Sequence, residues 1–165
     1  MKVIFLDVDG VLNSFNTMNT DNSLEMGPIQ NLAGIILTTD AKIILTSSWR
    51  LSTEALRTLM DKLMRCGLSI SGYTQEGANM RNFENTPFEN VVPTKKYTRS
   101  GTYTYDRGAE IAMWVLEHSY NLEEFVILDD EDEDIKNWFP NQLVKTDFMK
   151  GLTEEDAAKA IKLLN

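Results

Sequence analysis

Val3 to Leu6 form an unbroken apolar run that ends in Asp7-Val8-Asp9-Gly10. A short run of strand formers that stops at two acids reads as a buried strand carrying carboxylates at its C-terminal tip. In open α/β sheets the carboxyl ends of the strands are where ligands bind. Side chains alternate along a strand, so Asp7 and Asp9 would share a face if the extended geometry continued. Two ionised carboxylates that close repel unless a cation lies between them. The competing reading is a solvated turn, and the buried run directly before the pair weighs against it.

The rest of the chain repeats strand and helix signals in alternation. Lys2–Leu6, Lys42–Leu45, Leu68–Tyr73, Phe125–Leu128 and Leu143–Thr146 read as strands. Helical spacing of apolar residues marks Gly27–Thr38, Ser52–Cys66, Arg107–His118 and Thr153–Leu164. Ser52 and Thr153 are placed to cap, and Gly67 to stop a helix. Ile135–Trp138 reads as one helical turn, closed by Pro140. Such alternation predicts an α/β fold: a mainly parallel five-stranded sheet with helices on both faces, in three layers. The expected organisation is one domain over residues 1–165, with a polar insertion at about 74–106. A stretch that long without periodicity suggests a lid or small cap over the site, or disorder.

Charge and cysteine content narrow the function classes. Asp and Glu number 25 against 16 Lys and Arg, a net charge of −9. That argues against a broad nucleic-acid-binding face, though not against local capture of one phosphate end. No apolar stretch approaches the roughly 20 residues of a membrane-crossing helix. The lone Cys66 cannot form an internal disulfide, so a reducing, cytoplasmic setting is expected. Nothing in the sequence fixes an oligomeric state.

Polar groups recur at the predicted strand ends and at the helix starts that face them. They are Asp7 and Asp9, then Thr46-Ser47-Ser48-Trp49-Arg50, then Arg107-Gly108, then Asp129-Asp130. Their convergence on one sheet edge is what the topology of such sheets demands. The chain here resembles the haloacid-dehalogenase (HAD) superfamily of phosphohydrolases. FLDVDGVLN matches that superfamily's Asp-x-Asp-x-(Thr/Val) motif, IILTSS its second motif, and Asp129, Asp130 and Asp134 its acidic fourth motif. TSSWR, RGAEIAMWV and VILDDEDED are similar to the HAD domains of "Swiss Army knife" RNA-repair proteins.

The resemblance implies a Mg²⁺-dependent phosphatase with a Rossmannoid fold and a minimal cap. Asp7 would be the nucleophile that forms an aspartyl-phosphate, and Asp9 the acid for the leaving group and then the base for water. Asp7, Asp130 and the Asp9 main-chain carbonyl would hold Mg²⁺, with Asp129 the neighbouring candidate and Asp134 auxiliary. Thr46 and the Ser47 amide would bind the transferring phosphoryl group. The third motif normally supplies a lysine; this chain offers Arg107, with Lys95 or Lys96 of the insertion as the alternative. Arg107 could instead pair only with Asp106 or Glu110. Arg50 is a further candidate phosphate contact, while Trp49 reads as core and His118 as a surface or helix-end residue.

Tyr97, Tyr103 and Tyr105, interleaved with Lys95, Lys96 and Arg99, suit either base stacking or the packing of a small hairpin. The expected substrate is a phosphorylated small molecule, a nucleotide or a nucleic-acid end. The alternative is a non-catalytic phosphate- and Mg²⁺-binding module on the same fold, acting as a sensor or adaptor. The second acid at Asp9 counts against it, since a binder has no use for an acid/base group. A receiver-like signalling domain fits less well, because its phosphoacceptor follows a later, central strand.

Overall fold

The computed structural model describes residues 1–18, 24–77, 83–92 and 107–165, together with the backbone at 96–97 and 103–104. Five strands form the main sheet: β1 (Lys2–Leu6), β2 (Lys42–Leu45), β3 (Ile70–Tyr73), β6 (Glu124–Asp129) and β7 (Leu143–Lys145). They lie in the order β3-β2-β1-β6-β7, and every neighbouring pair is parallel. β4 (Lys96–Tyr97) and β5 (Tyr103–Thr104) pair antiparallel, in keeping with the small hairpin that is one of the two alternatives for this part of the insertion. The side chains of Lys96, Tyr97 and Tyr103 lie outside the described residues, as do Lys95, Arg99, Tyr105 and Asp106 altogether.

Alternation along β1 sorts the core into two layers. Ile4 and Leu6 pack with α2 (Met26–Thr39), α3 (Thr53–Arg65) and α5 (Glu154–Leu164) on one face, through Ile29, Leu32, Leu59, Leu63 and Ala160. Val3 and Phe5 pack with α4 (Arg107–His118) on the other, through Ile111 and Trp114. Both faces of the sheet are covered, which is why β1, β2 and β6 read as continuous apolar runs. Among the described residues no helix is long and apolar enough to cross a membrane.

Caps follow the sequence. The Ser52 hydroxyl accepts the Ala55 N–H at the start of α3. Thr153 and Asp156 form a capping box at the start of α5. Gly67 takes φ +74 where α3 ends. Two elements have no signal in the hydrophobic pattern: the single turn α1 (Phe15–Met18) and a 3₁₀ turn at Ser48–Leu51. Ile135–Trp138 lies in a run of turns held by Trp138 N–H and Phe139 N–H donating to the Ile135 carbonyl.

The described middle of the insertion is not a solvated loop. Phe83 is fully buried, its ring centroid 4.9 Å from that of Trp138, and Phe88 stands edge-on to Phe139 at 5.4 Å. Residues 83–92 thereby plug the α4 side of the core. Two aromatics in a polar stretch supply the anchor, a pattern too sparse to register as periodicity.

Candidate active site

Strand register builds the site. Leu6 is paired with Leu45 on one side and Leu128 on the other. The next residue on each strand is therefore level: Thr46, Asp7 and Asp129 stand side by side at the same edge. The ladder continues through them, with the Asp7 N–H on the Leu128 carbonyl at 3.0 Å and the Thr46 N–H on the Leu6 carbonyl at 2.9 Å. All three side chains are buried, Asp129 completely.

Arg107, the first residue of α4, reaches this row. Its Nη1 lies 3.2 Å from Asp7 Oδ1 and also donates to Asp129 Oδ2. Gly108 makes the approach possible. A Cβ there would stand 2.2 Å from Trp138 Cδ1 and 2.4 Å from the Asp134 carbonyl oxygen. The helix start can sit against the 134–138 loop only without that carbon, and the Gly108 N–H donates to the same carbonyl at 3.2 Å.

The acids and the cation pull on one another. Burial pushes the Asp7 carboxyl up from its ordinary range, and Arg107 and then the Ser47 hydroxyl draw it back. Burial raises Asp129 to about 7, against the charge of Arg107 and with that of Asp7. Asp130, nearer solvent, is raised to about 6 by burial and by Asp7. Burial disfavours the Arg107 cation, but Asp7 and Asp129 outweigh it and hold the guanidinium charged.

Oxygens of Asp7, Asp129 and Asp130 fall within 4.8 Å of one another. That donor set of hard oxygens fits Mg²⁺. Asp130 reaches in over Gly10, where a Cβ would lie 2.5 Å from its Cγ; Gly10 has φ +74. The two oxygens of Asp129 are already engaged, Oδ1 by the Glu131 N–H at 2.9 Å and Oδ2 by Arg107. This leaves Asp130 the better placed of the adjacent pair to offer a ligand. In the following acidic run, Asp132 pairs with Lys145 at 2.8 Å on the surface.

Asp9 is held from two sides. Its Oδ2 accepts the Trp49 indole N–H at 3.0 Å, and its Oδ1 accepts Asn13 Nδ2 at 2.9 Å. The Gly10 N–H donates to Asn13 Oδ1 at 3.0 Å, which fixes which end of that amide faces Asp9. Trp49 is buried, as its sequence suggests, yet its polar edge serves the site. Neither Trp49 nor Asn13 stands out in the sequence as a site residue; TSSWR and DGVLN contained the signal only as spacing.

Thr46 Oγ1 is buried with no hydrogen-bond partner among the described residues. It lines a cavity of about 200 Å³ with Ser48, Arg50, Arg107, Glu110 and Asp129. Arg50 lines that cavity too, but most of its donors are taken. Nε binds the Thr74 carbonyl at 3.1 Å, Nη1 the carbonyls of Thr46 and Ser47, and Nη2 the Glu110 carboxylate at 2.8 Å. Arg107 pairs with Asp7 and Asp129, while Glu110 pairs with Arg50. His118 stacks flat on Trp114 at 3.8 Å, at the far end of α4.

A parallel α/β sheet whose first strand ends in Asp-x-Asp, faced by a Thr, an Arg and a second acidic pair, is the arrangement of a HAD-like domain. Residues 3–157 match the family described as the HAD domain in Swiss Army Knife RNA repair proteins, and the chain belongs to that family. No curated protein and no solved structure matches the chain.

Proposed function

We propose that this chain is a Mg²⁺-dependent phosphomonoesterase that works through a phosphoenzyme on Asp7. The observation that carries the reading is the single arginine shared by Asp7 and Asp129 beside the Asp130 carboxylate. One cation against three acids among the described residues leaves the site short of positive charge, as a site built for a metal would be.

In this reading Asp7 attacks phosphorus, the P–O bond to the leaving alcohol breaks, and the Asp9 carboxyl delivers the proton that the alcohol takes up. Water then attacks phosphorus, with Asp9 accepting its proton, and phosphate leaves as Asp7 is regenerated. Asp7, Asp130 and the Asp9 main-chain carbonyl would hold Mg²⁺, which supplies the positive charge that lets one anion approach another. Arg107 neutralises oxygens of the transferring group, and Thr46 Oγ1 donates to one of them. The substrate class is a nucleotide or a phosphorylated nucleic-acid end, supported by the family's association with RNA repair.

The test is turnover of a generic aryl phosphate with Mg²⁺ and with EDTA, followed by a screen of nucleotides and 3′- or 5′-phosphorylated oligonucleotides. Turnover should require Mg²⁺ and fall below about a thousandth in Asp7→Asn. Activity retained in Asp7→Asn, or unaffected by EDTA, would exclude the mechanism.

A further inference from the structure

We propose that Arg50 is a positioning residue: it does not bind the phosphoryl group but aims the backbone amides that do. This rests on the phosphatase reading and adds a device to it. Nη1 of Arg50 accepts no hydrogen bond and has two hydrogens to give, and it gives them to the consecutive carbonyls of Thr46 and Ser47. Both peptide bonds are trans. In a trans peptide the N–H points opposite to the C=O. Pulling two successive carbonyls toward Arg50 therefore turns the Ser47 and Ser48 N–H groups away from it, and the Ser47 hydroxyl beside them interacts with Asp7.

Neither amide donates a hydrogen bond among the described residues. Beside them Thr46 Oγ1, 1% exposed, is also without a partner. Three donors on adjacent residues thus have no partner among the described residues, at the sheet edge that carries Asp7. Thr46 and Ser47 are buried and Ser48 is exposed, so the inner donors are costly to leave unmet while the outer one is open to an arriving ligand, and an anion's oxygens are what would satisfy the row. Arg50 is itself anchored at two further points. The Thr74 carbonyl holds Nε where the insertion begins, and Glu110 holds Nη2 one turn beyond Arg107 on α4. One guanidinium therefore locks the loop after β2 to the helix that presents the catalytic cation. Lysine cannot reproduce this, because it offers a single nitrogen in place of a planar fork.

The experiment reads anion binding as well as turnover. Orthovanadate is titrated into the Mg²⁺-loaded, ¹⁵N-labelled protein, and its Kd and the Ser47 and Ser48 amide shifts are followed. In the wild type both amides should move. Arg50→Lys keeps the charge and should weaken vanadate by about tenfold or more, the range for losing a charge-assisted hydrogen bond, with Mg²⁺ affinity unchanged. Retained vanadate affinity in Arg50→Lys would overturn the proposal. Glu110→Gln gives a second reading should Arg50→Lys fold poorly. If Arg50 is a clamp, loosening its anchor weakens vanadate several-fold. If Arg50 is a direct ligand, freeing it from a competing carboxylate tightens vanadate instead, and the proposal is wrong. Vanadate binding with both amides shifted but no turnover would sink the phosphatase reading and leave Arg50's role standing. Turnover with unmoved amides, or no anion binding by the wild type, would overturn the role assigned to Arg50.

Discussion

Arg107 Nη1 lies 3.2 Å from Asp7 Oδ1 while the same nitrogen also donates to Asp129. One positive charge serves two buried acids, and a third, Asp130, stands within 4.8 Å of them. Without a metal the site relieves this excess by holding protons. Asp129 and Asp130 titrate at about 7 and about 6, against 3.8 for an ordinary aspartate. The folded protein then keeps protons that the unfolded chain has already lost. By linkage, the side binding more protons is disfavoured as pH rises, so the metal-free protein loses stability between about pH 4 and pH 7. Thermal unfolding in EDTA should show this fall. Saturating Mg²⁺ should abolish it, and Asp130→Asn should flatten it. Identical slopes in EDTA for the wild type and Asp130→Asn would contradict the assignment.

The same geometry sets what loss of Arg107 does. Arg107→Ala removes the shared cation and leaves Asp7 and Asp129 buried without a counter-charge. Turnover should drop by roughly 10²- to 10³-fold, as when a preorganised donor is removed from a developing charge. Stability at neutral pH should fall by about 3 kcal/mol, the scale for breaking a buried pair. Arg107→Lys keeps the charge but loses the forked reach, so it should retain more activity than the alanine variant. Steady-state kinetics and denaturant titration on the two variants check both statements. Equal activity in the two would mean that charge at this position is not used.

Most of this frame is legible in the chain. Buried parallel strands appear as apolar runs, and the acids, Thr46 and Arg107 follow immediately after such runs or open a helix. Their level placement follows from register, which becomes visible once Leu6, Leu45 and Leu128 are paired. What could not be read is the set of contacts that depend on side-chain direction. Trp49 is apolar by composition, and only its indole edge bonds Asp9. Arg50 looks like a phosphate contact because it follows Thr46, but the 3₁₀ turn carries its guanidinium back onto carbonyls. Phe83 and Phe88 act through contacts distant in sequence, so their polar neighbours conceal the anchor.

Gly10 joins backbone conformation to the candidate metal site. Its φ of +74 strains any side chain, and a Cβ would sit 2.5 Å from Asp130 Cγ. Gly10→Ala should therefore cost about 1–3 kcal/mol of stability from backbone strain. It should also push Asp130 out of position and weaken Mg²⁺ by about tenfold, the scale seen when a ligand loses its orientation. Calorimetric Mg²⁺ titration against a parallel unfolding curve separates the two effects. A variant that loses stability but binds Mg²⁺ normally would show that Asp130 does not depend on this contact.

Trp49 and Asn13 give a test of the acid/base role proposed for Asp9. Their donors hold both carboxylate oxygens in fixed directions, at 3.0 and 2.9 Å. Trp49→Phe keeps the buried ring and removes only the N–H. The carboxyl then gains freedom to turn, and proton delivery to the leaving oxygen becomes less well aligned. A leaving group that departs easily has little need of that proton, whereas an alkoxide depends on it. Trp49→Phe should therefore slow an alkyl phosphate by about tenfold or more while changing a nitrophenyl phosphate by only about twofold. Asn13→Ala should act in the same direction, with an added loss of stability because the Gly10 N–H is left without its acceptor. Measuring kcat over a series of leaving groups gives the dependence directly. A uniform loss across the series would mean that Trp49 supports the fold around Asp9 and leaves its proton transfer untouched.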